Sequence, residues 1–203
     1  MAQKKTRSTR KRKTKKQLQQ QEKLTLIGLG FLFLLFALFG LLRLGFLGNL
    51  IANGFRMIGG NTYQVLCLAL AVYSVWLIFK NSAAKITAYR RISGLLLIYA
   101  GVLLFCHAQL FSRLQSGEPN ILQTTWGILL SDIKAGQVAQ NVGGGMIGAL
   151  LYQVTYFLIA QVGSYLVAGL LVLAGAFFAS RMDSQQLLES LQFIKAKLEH
   201  LLA

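Results

Sequence analysis

Four stretches of at least 19 residues run without a charged side chain: 24–42, 61–79, 92–112 and 135–180. An α-helix rises about 1.5 Å per residue, so crossing a hydrocarbon core about 30 Å thick takes roughly 20 apolar residues. The first three stretches each suit one crossing, and the fourth is long enough for two. Inside a bilayer every backbone polar group must be satisfied within a helix or a closed barrel. Continuous apolar blocks, rather than alternation with period two, select helices. The predicted fold class is therefore an all-α membrane protein. It has four transmembrane helices, an outer-surface or re-entrant helix, and a C-terminal amphipathic helix.

The first block is not a cleavable signal peptide, because its apolar run exceeds a short h-region and "LFGLLRLGF" offers no small-residue cleavage site. Both cysteines, Cys67 and Cys106, fall within predicted spans and read as small hydrophobes rather than as a disulfide.

Charge sets the orientation. Residues 1–23 contain ten Lys/Arg and one acid, with too little apolar surface to form a core, and are expected to be disordered. The positive-inside rule keeps this tail cytoplasmic, so the first span, about 24–43, runs from inside to outside. Residues 43–60 then face outward. The linker 80–91 carries four cations and no acid, as a cytoplasmic loop should, between spans at about 61–79 and 92–111. The next outer segment, 113–134, balances two cations against Glu118 and Asp132.

Parity decides the last block. Two crossings would put the carboxyl end outside, and one would put it inside. Ala160, Ser164, Ala168, Ala176 and Ser180 sit on a four-residue repeat broken at Val172, a pattern that lets another helix approach closely. The half before it is interrupted by Gln153, Thr155 and Gln161. The expected fourth span is about 163–180, with 146–160 lying at the outer surface or re-entering, covered by protein or water. Residues 24–180 thus form the membrane domain. Within 181–203, Asp183 and Gln186 match a capping box, and Leu187, Leu191, Ile194, Leu198 and Leu201 recur at helical spacing. That segment reads as a cytoplasmic amphipathic helix or linker.

Several motifs bear on chemistry. "NVGGGMIGALL" (141–151) has the glycines of a phosphate loop, but Ala149 and Leu150 stand where a Walker motif requires Lys and Ser/Thr. No strand–helix unit precedes it, so the dinucleotide fingerprint fails as well. The glycines instead loosen the backbone at a turn into a helix, and Gly144 with Gly148 forms a GxxxG contact pair. The helix-packing set is Gly144, Gly148, Ser164, Ala168 and Ala176.

His107 reads either as a proton-relay group or, more simply, as an interfacial residue hydrogen-bonded to a neighbour. Ser74 and Ser164 lie in spans, but no catalytic motif surrounds them, and no catalytic, cofactor or metal residue is assigned. No Asp, Glu, Lys or Arg interrupts a span, which counts against an ion-coupled transporter. Arg43 and Arg56 are expected to snorkel to outer headgroups, with a role in a polar path or subunit contact as the alternative. In the basic tail, Lys4, Lys5, Arg7, Arg10, Lys11, Arg12, Lys13, Lys15 and Lys16 suit anionic inner-leaflet lipid first and DNA phosphates second.

"GGGMIGALL" following an outer loop with "TTWGILLSDI", "HAQLF" closing the third span, and "LGFLG" after the first together resemble a known family. It is the amino-terminal membrane domain of the FtsK/SpoIIIE DNA translocases, Gram-positive branch, and the likeness runs from the tail to about Ser180. The resemblance implies four spans with both termini cytoplasmic in a bacterial cell membrane at the division septum. It implies anchoring of a hexameric, ATP- and Mg-dependent motor that moves DNA in chromosome segregation, alongside division-septum proteins. The chain contains no "GK" dipeptide, so ATP and Mg are implied only for a motor absent from these residues, and the chain itself is not expected to be an enzyme. It reads as an isolated anchoring and oligomerisation domain of a longer protein. The competing reading is a small channel or transporter using His107, Gln153 and Gln161.

Overall fold

The computed structural model describes residues 15–80, 89–114 and 120–180. All of its regular structure is helical: α1 (Lys15–Leu42), α2 (Gly45–Gly59), α3 (Tyr63–Lys80), α4 (Tyr89–Leu114), α5 (Ile121–Ala135) and α6 (Gly145–Ser180), with a 3₁₀ turn at Gly60–Thr62. Four segments are long and apolar enough to cross a membrane: Gln17–Leu42, Gly45–Lys80, Tyr89–Leu114 and Gly145–Ser180. The carboxyl segment 181–203 and tail residues Lys4 to Lys13 lie outside the described residues, while Lys15 and Lys16 are the first positions of α1, so helix replaces the expected disorder over 15–23, where Gln, Leu and Lys side chains favour extending the span's first turns.

Two helix pairs carry most of the packing, α1 with α3 and α4 with α6. Small residues bring their backbones together, the usual device between helices that lipid cannot drive together. A Cβ on Gly40 of α1 would lie 3.3 Å from the Cys67 sulfur of α3. A Cβ on Gly94 of α4 would lie 2.6 Å from the Gly175 carbonyl oxygen of α6. Cys67 is buried, Cys106 half-buried, and both are free.

Helix α6 is bent. A straight helix over Gly145–Ser180 would measure about 54 Å, far more than a hydrocarbon core requires. Ala160 breaks it with φ 57° and ψ −171°, a conformation otherwise almost confined to glycine. Before the break, Gly148 meets the Leu103 carbonyl and Tyr152 packs on His107 and Phe111, so this arm advances toward the C-terminal end of α4. After it, Tyr165 packs on Phe105, Ala168 on Gly101 and Gly175 on Gly94, so the second arm returns. The Ser164 hydroxyl donates to Thr155 Oγ1 at 2.9 Å, joining the arms beside the bend.

Helices α2 and α5 occupy the two stretches that sequence reading left as outward-facing connections. Each has local cause. Asn120 caps α5, its side chain accepting from the Gln123 amide, and Gly136 ends it in the left-handed conformation. In α2 the polar residues Asn49, Asn53 and Arg56 fall at i, i+4 and i+7, on one face.

Candidate functional site

That face of α2 meets the segment connecting α5 to α6. Arg56 is the centre, only 2% exposed, and Asp132 of α5 is fully buried beside it. The Arg56 guanidinium donates to Asp132 Oδ2 at 2.7 Å and to Asn53 Oδ1 at 2.6 Å, and its other terminal nitrogen donates to the Gln140 carbonyl. Asp132 Oδ2 also accepts from the backbone amides of Ala139 (3.1 Å) and Gln140 (3.0 Å). Alongside, Asn53 Nδ2 donates to the Gln137 carbonyl at 2.9 Å and Asn49 Nδ2 to the Gly136 carbonyl at 2.8 Å. Burial alone would raise the Asp132 carboxyl. The Arg56 hydrogen bond, the two amides and the Arg56 charge outweigh that, and the carboxyl sits below its ordinary value.

This geometry corrects the expectation that Arg56 snorkels to headgroups. A guanidinium with a buried carboxylate and two oxygen acceptors is satisfied inside the protein, and turning it outward would leave Asp132 as an unpaired buried charge. Arg43 does stay exposed. Its Nε donates to the Tyr63 hydroxyl at 2.7 Å.

The glycine triplet completes the junction from below. Gly143 and Gly145 both have positive φ, and the Asn61 amide donates to the Gly143 carbonyl at 2.8 Å. Asn61 Nδ2 donates to Asn141 Oδ1 at 2.6 Å, and that oxygen also accepts from the Gly143 amide. Gly60, φ 54°, lies so close that a Cβ there would overlap the Gly143 carbonyl oxygen and the Gly145 nitrogen. A Cβ on Gly144 would likewise overlap the Leu103 carbonyl oxygen of α4. Three backbones meet at this point, and no side chain fits between them.

His107 lies in the same region, fully buried between α5 and the first arm of α6. Thr125 donates its one proton to the Ile121 carbonyl at 2.7 Å. The same hydroxyl oxygen lies 3.3 Å from His107 Nε2. Nδ1 is left without a protein partner, as are Asp132 Oδ1 and Gln153 Oε1.

The remaining packing candidates separate. Gly144, Gly148, Ser164 and Ala168 are buried at helix contacts, whereas Ala176 is exposed and Gly175 makes the close approach at its level. The cause is angular. Each residue turns about 100°, so a strict four-residue repeat drifts about 40° per step and reaches about 120° by Ala176, whereas Gly175 stays within about 20° of Ser164. Among the described residues no group of three or more His, Cys, Asp or Glu is placed to hold a metal ion. The Arg56–Asp132 pair spans 76 positions and was missed by sequence reading. Its one sequence signal was the polar stripe Asn49, Asn53, Arg56 on an otherwise apolar helix.

Comparison with characterised proteins gives consistent relatives. The chain is 32% identical over 156 residues to the DNA translocase SpoIIIE of Bacillus subtilis, which covers 75% of this chain and 20% of that protein. It is 36% identical over 139 residues to the DNA translocase FtsK of Halalkalibacterium halodurans, covering 66% and 18%. A third relative, the DNA translocase FtsK of Streptococcus agalactiae, is 30% identical over 162 residues, covering 78% and 19%. The chain thus spans about a fifth of the length of the relatives it matches. No protein-family model matches it, and no solved structure does.

Proposed function

Because this chain belongs to the FtsK/SpoIIIE family across about three quarters of its length, matching a fifth of its relative's, we propose that it is the membrane-anchoring and oligomerisation domain of a septal DNA translocase. The observation that carries this reading is the coincidence of that partial match with four membrane-length apolar helices. In this reading the chain is not itself an enzyme, and ATP-driven DNA movement belongs to a motor outside the matched region. Both termini are cytoplasmic, and the basic tail contacts anionic inner-leaflet lipid or DNA. Self-association is supported by an apolar groove of about 430 Å³ between α4 and the second arm of α6, floored by Gly101, Ala168 and Gly169.

Two experiments test it. A fluorescent fusion in dividing bacteria should concentrate at septa and run as an oligomer in mild detergent, and uniform envelope fluorescence with a monomeric particle would reject the reading. Cysteine placed at Ser190 should resist a membrane-impermeant thiol reagent in intact cells, and labelling from outside would overturn the four-span topology.

A further inference from the structure

Helix α2 is inside out. A helix at a protein surface normally turns its polar side to water and its apolar side to the core. Here Asn53 and Arg56 are buried, while Phe46, Leu47, Leu50, Met57 and Ile58 are exposed. The exposed apolar residues continue through Leu44 and Leu42 onto α1, a candidate span. This surface suits acyl chains.

At the corner between α1 and α2 stands Arg43. The backbone holds it at φ 52°. Its Nε is committed to the Tyr63 hydroxyl, and one terminal nitrogen reaches the Val138 carbonyl at 3.4 Å. The other terminal nitrogen has no protein acceptor among the described residues, and no carboxylate lies within ion-pair distance. Arg43 borders a pocket of about 240 Å³ whose lining also includes Arg56, Asn61, Gln64 and Asn141 and contains no acid. Asp132 neutralises Arg56 from behind, so the pocket keeps one net positive charge, that of Arg43. The free terminal nitrogen of this guanidinium offers charge-assisted N–H donors to a phosphate oxygen, and carboxamides beside it supply further donors.

We propose that this pocket binds the phosphate of an anionic phospholipid headgroup, the acyl chains lying along the exposed apolar residues of α1 and α2. Charge complementarity selects the phosphate, and continuity with the α1 span selects a lipid over a soluble anion. The site needs only that α1 crosses the bilayer. It is independent of the septal role, so either can fail alone.

The test uses the full chain purified in a neutral detergent, with bound lipid measured by native mass spectrometry and by thermal shift. The probes are phosphatidylglycerol, phosphatidylcholine and glycerol 3-phosphate. Phosphatidylglycerol should bind most tightly, because the choline cation opposes Arg43. Arg43→Gln should weaken it about tenfold, the order of a lost charge-assisted pair, whereas Arg113→Gln should not change it. Tyr63→Phe, which releases the guanidinium from its hydroxyl, should weaken binding about threefold with helicity retained. If Arg43→Gln fails to fold, Arg43→Lys and Tyr63→Phe decide the matter. Unchanged phosphatidylglycerol affinity in the folded variants overturns the site. Equal protection by glycerol 3-phosphate overturns the lipid assignment. A concentration-dependent dimer that excludes lipid hands the face to a second copy and overturns it too.

Discussion

Removing one member of the Arg56–Asp132 pair should destabilise the protein far more than its position in a connecting segment suggests. In Asp132→Leu, Arg56 keeps its charge at 2% exposure with only Asn53 and a carbonyl as partners, and the Ala139 and Gln140 amides lose their acceptor. Breaking a buried ion pair costs about 3–5 kcal/mol. Arg56→Met leaves the carboxylate buried with its two amides and should cost a similar amount. The double variant removes both charges together, so its cost should fall below the sum of the singles by about 2 kcal/mol or more. At about 2–4 °C per kcal/mol for a chain of this size, each single variant should lower the melting temperature by roughly 6–20 °C. The two free cysteines, one buried and one half-buried, provide the readout: thermal unfolding in detergent followed by their reaction with a fluorogenic maleimide. Additive costs, or single variants within about 0.5 kcal/mol of the parent as at an ordinary surface site, would refute the argument.

The acid limb of stability follows from the same residue. Because the folded-state carboxyl of Asp132 is held below its ordinary value, its contribution is complete above the unfolded value near 3.9 and is lost as pH falls through the folded value. Melting temperature measured from pH 7 to pH 3 should therefore drop more steeply in the parent than in Asp132→Asn, and parallel curves would contradict this. Ala160→Gly should raise the melting temperature, since relief of about 1–3 kcal/mol of backbone strain exceeds the entropic cost of about 0.4–1 kcal/mol; a fall would mean the bend is unstrained. Gly60→Ala should cost at least about 2 kcal/mol, because the left-handed φ and the overlap with residues 143–145 act together. Gly54→Ala, with nothing near its Cβ, should instead gain up to about 1 kcal/mol. Equal effects at both positions would argue against the three-backbone contact.

The parts of this fold legible in sequence are those dictated by one-dimensional averages. Apolar runs of bilayer length mark helices without knowledge of their partners, and a proline-poor glycine triplet marks a backbone approach. Helices α2 and α5 were hidden because each is short and mixed in character, and in α2 the usual meaning of polarity is reversed. An arginine in a loop between two spans is ordinarily solvated. Only the fold, by placing Asp132 and two amides against it, turns the same residue into a buried cation. The division of the last block near residue 160 was legible from the polar interruptions Gln153, Thr155 and Gln161, whereas the left-handed conformation of Ala160 itself was not, since alanine favours helix. It follows from the two arms each finding a place on α4.

The junction distributes its demands unevenly between its two sides. From α2 the contributions are side-chain carboxamides and a guanidinium, so Asn49, Asn53 and Arg56 have no close substitutes. From the facing strip the contributions are carbonyls of Gly136, Gln137 and Gln140 and amides of Ala139 and Gln140. Any residue but proline supplies both groups, except at Gly136, whose left-handed φ favours glycine. Gln137 and Ala139, whose side chains are exposed, are thus free to change side chain, or to carry a label there, while the joint stays closed.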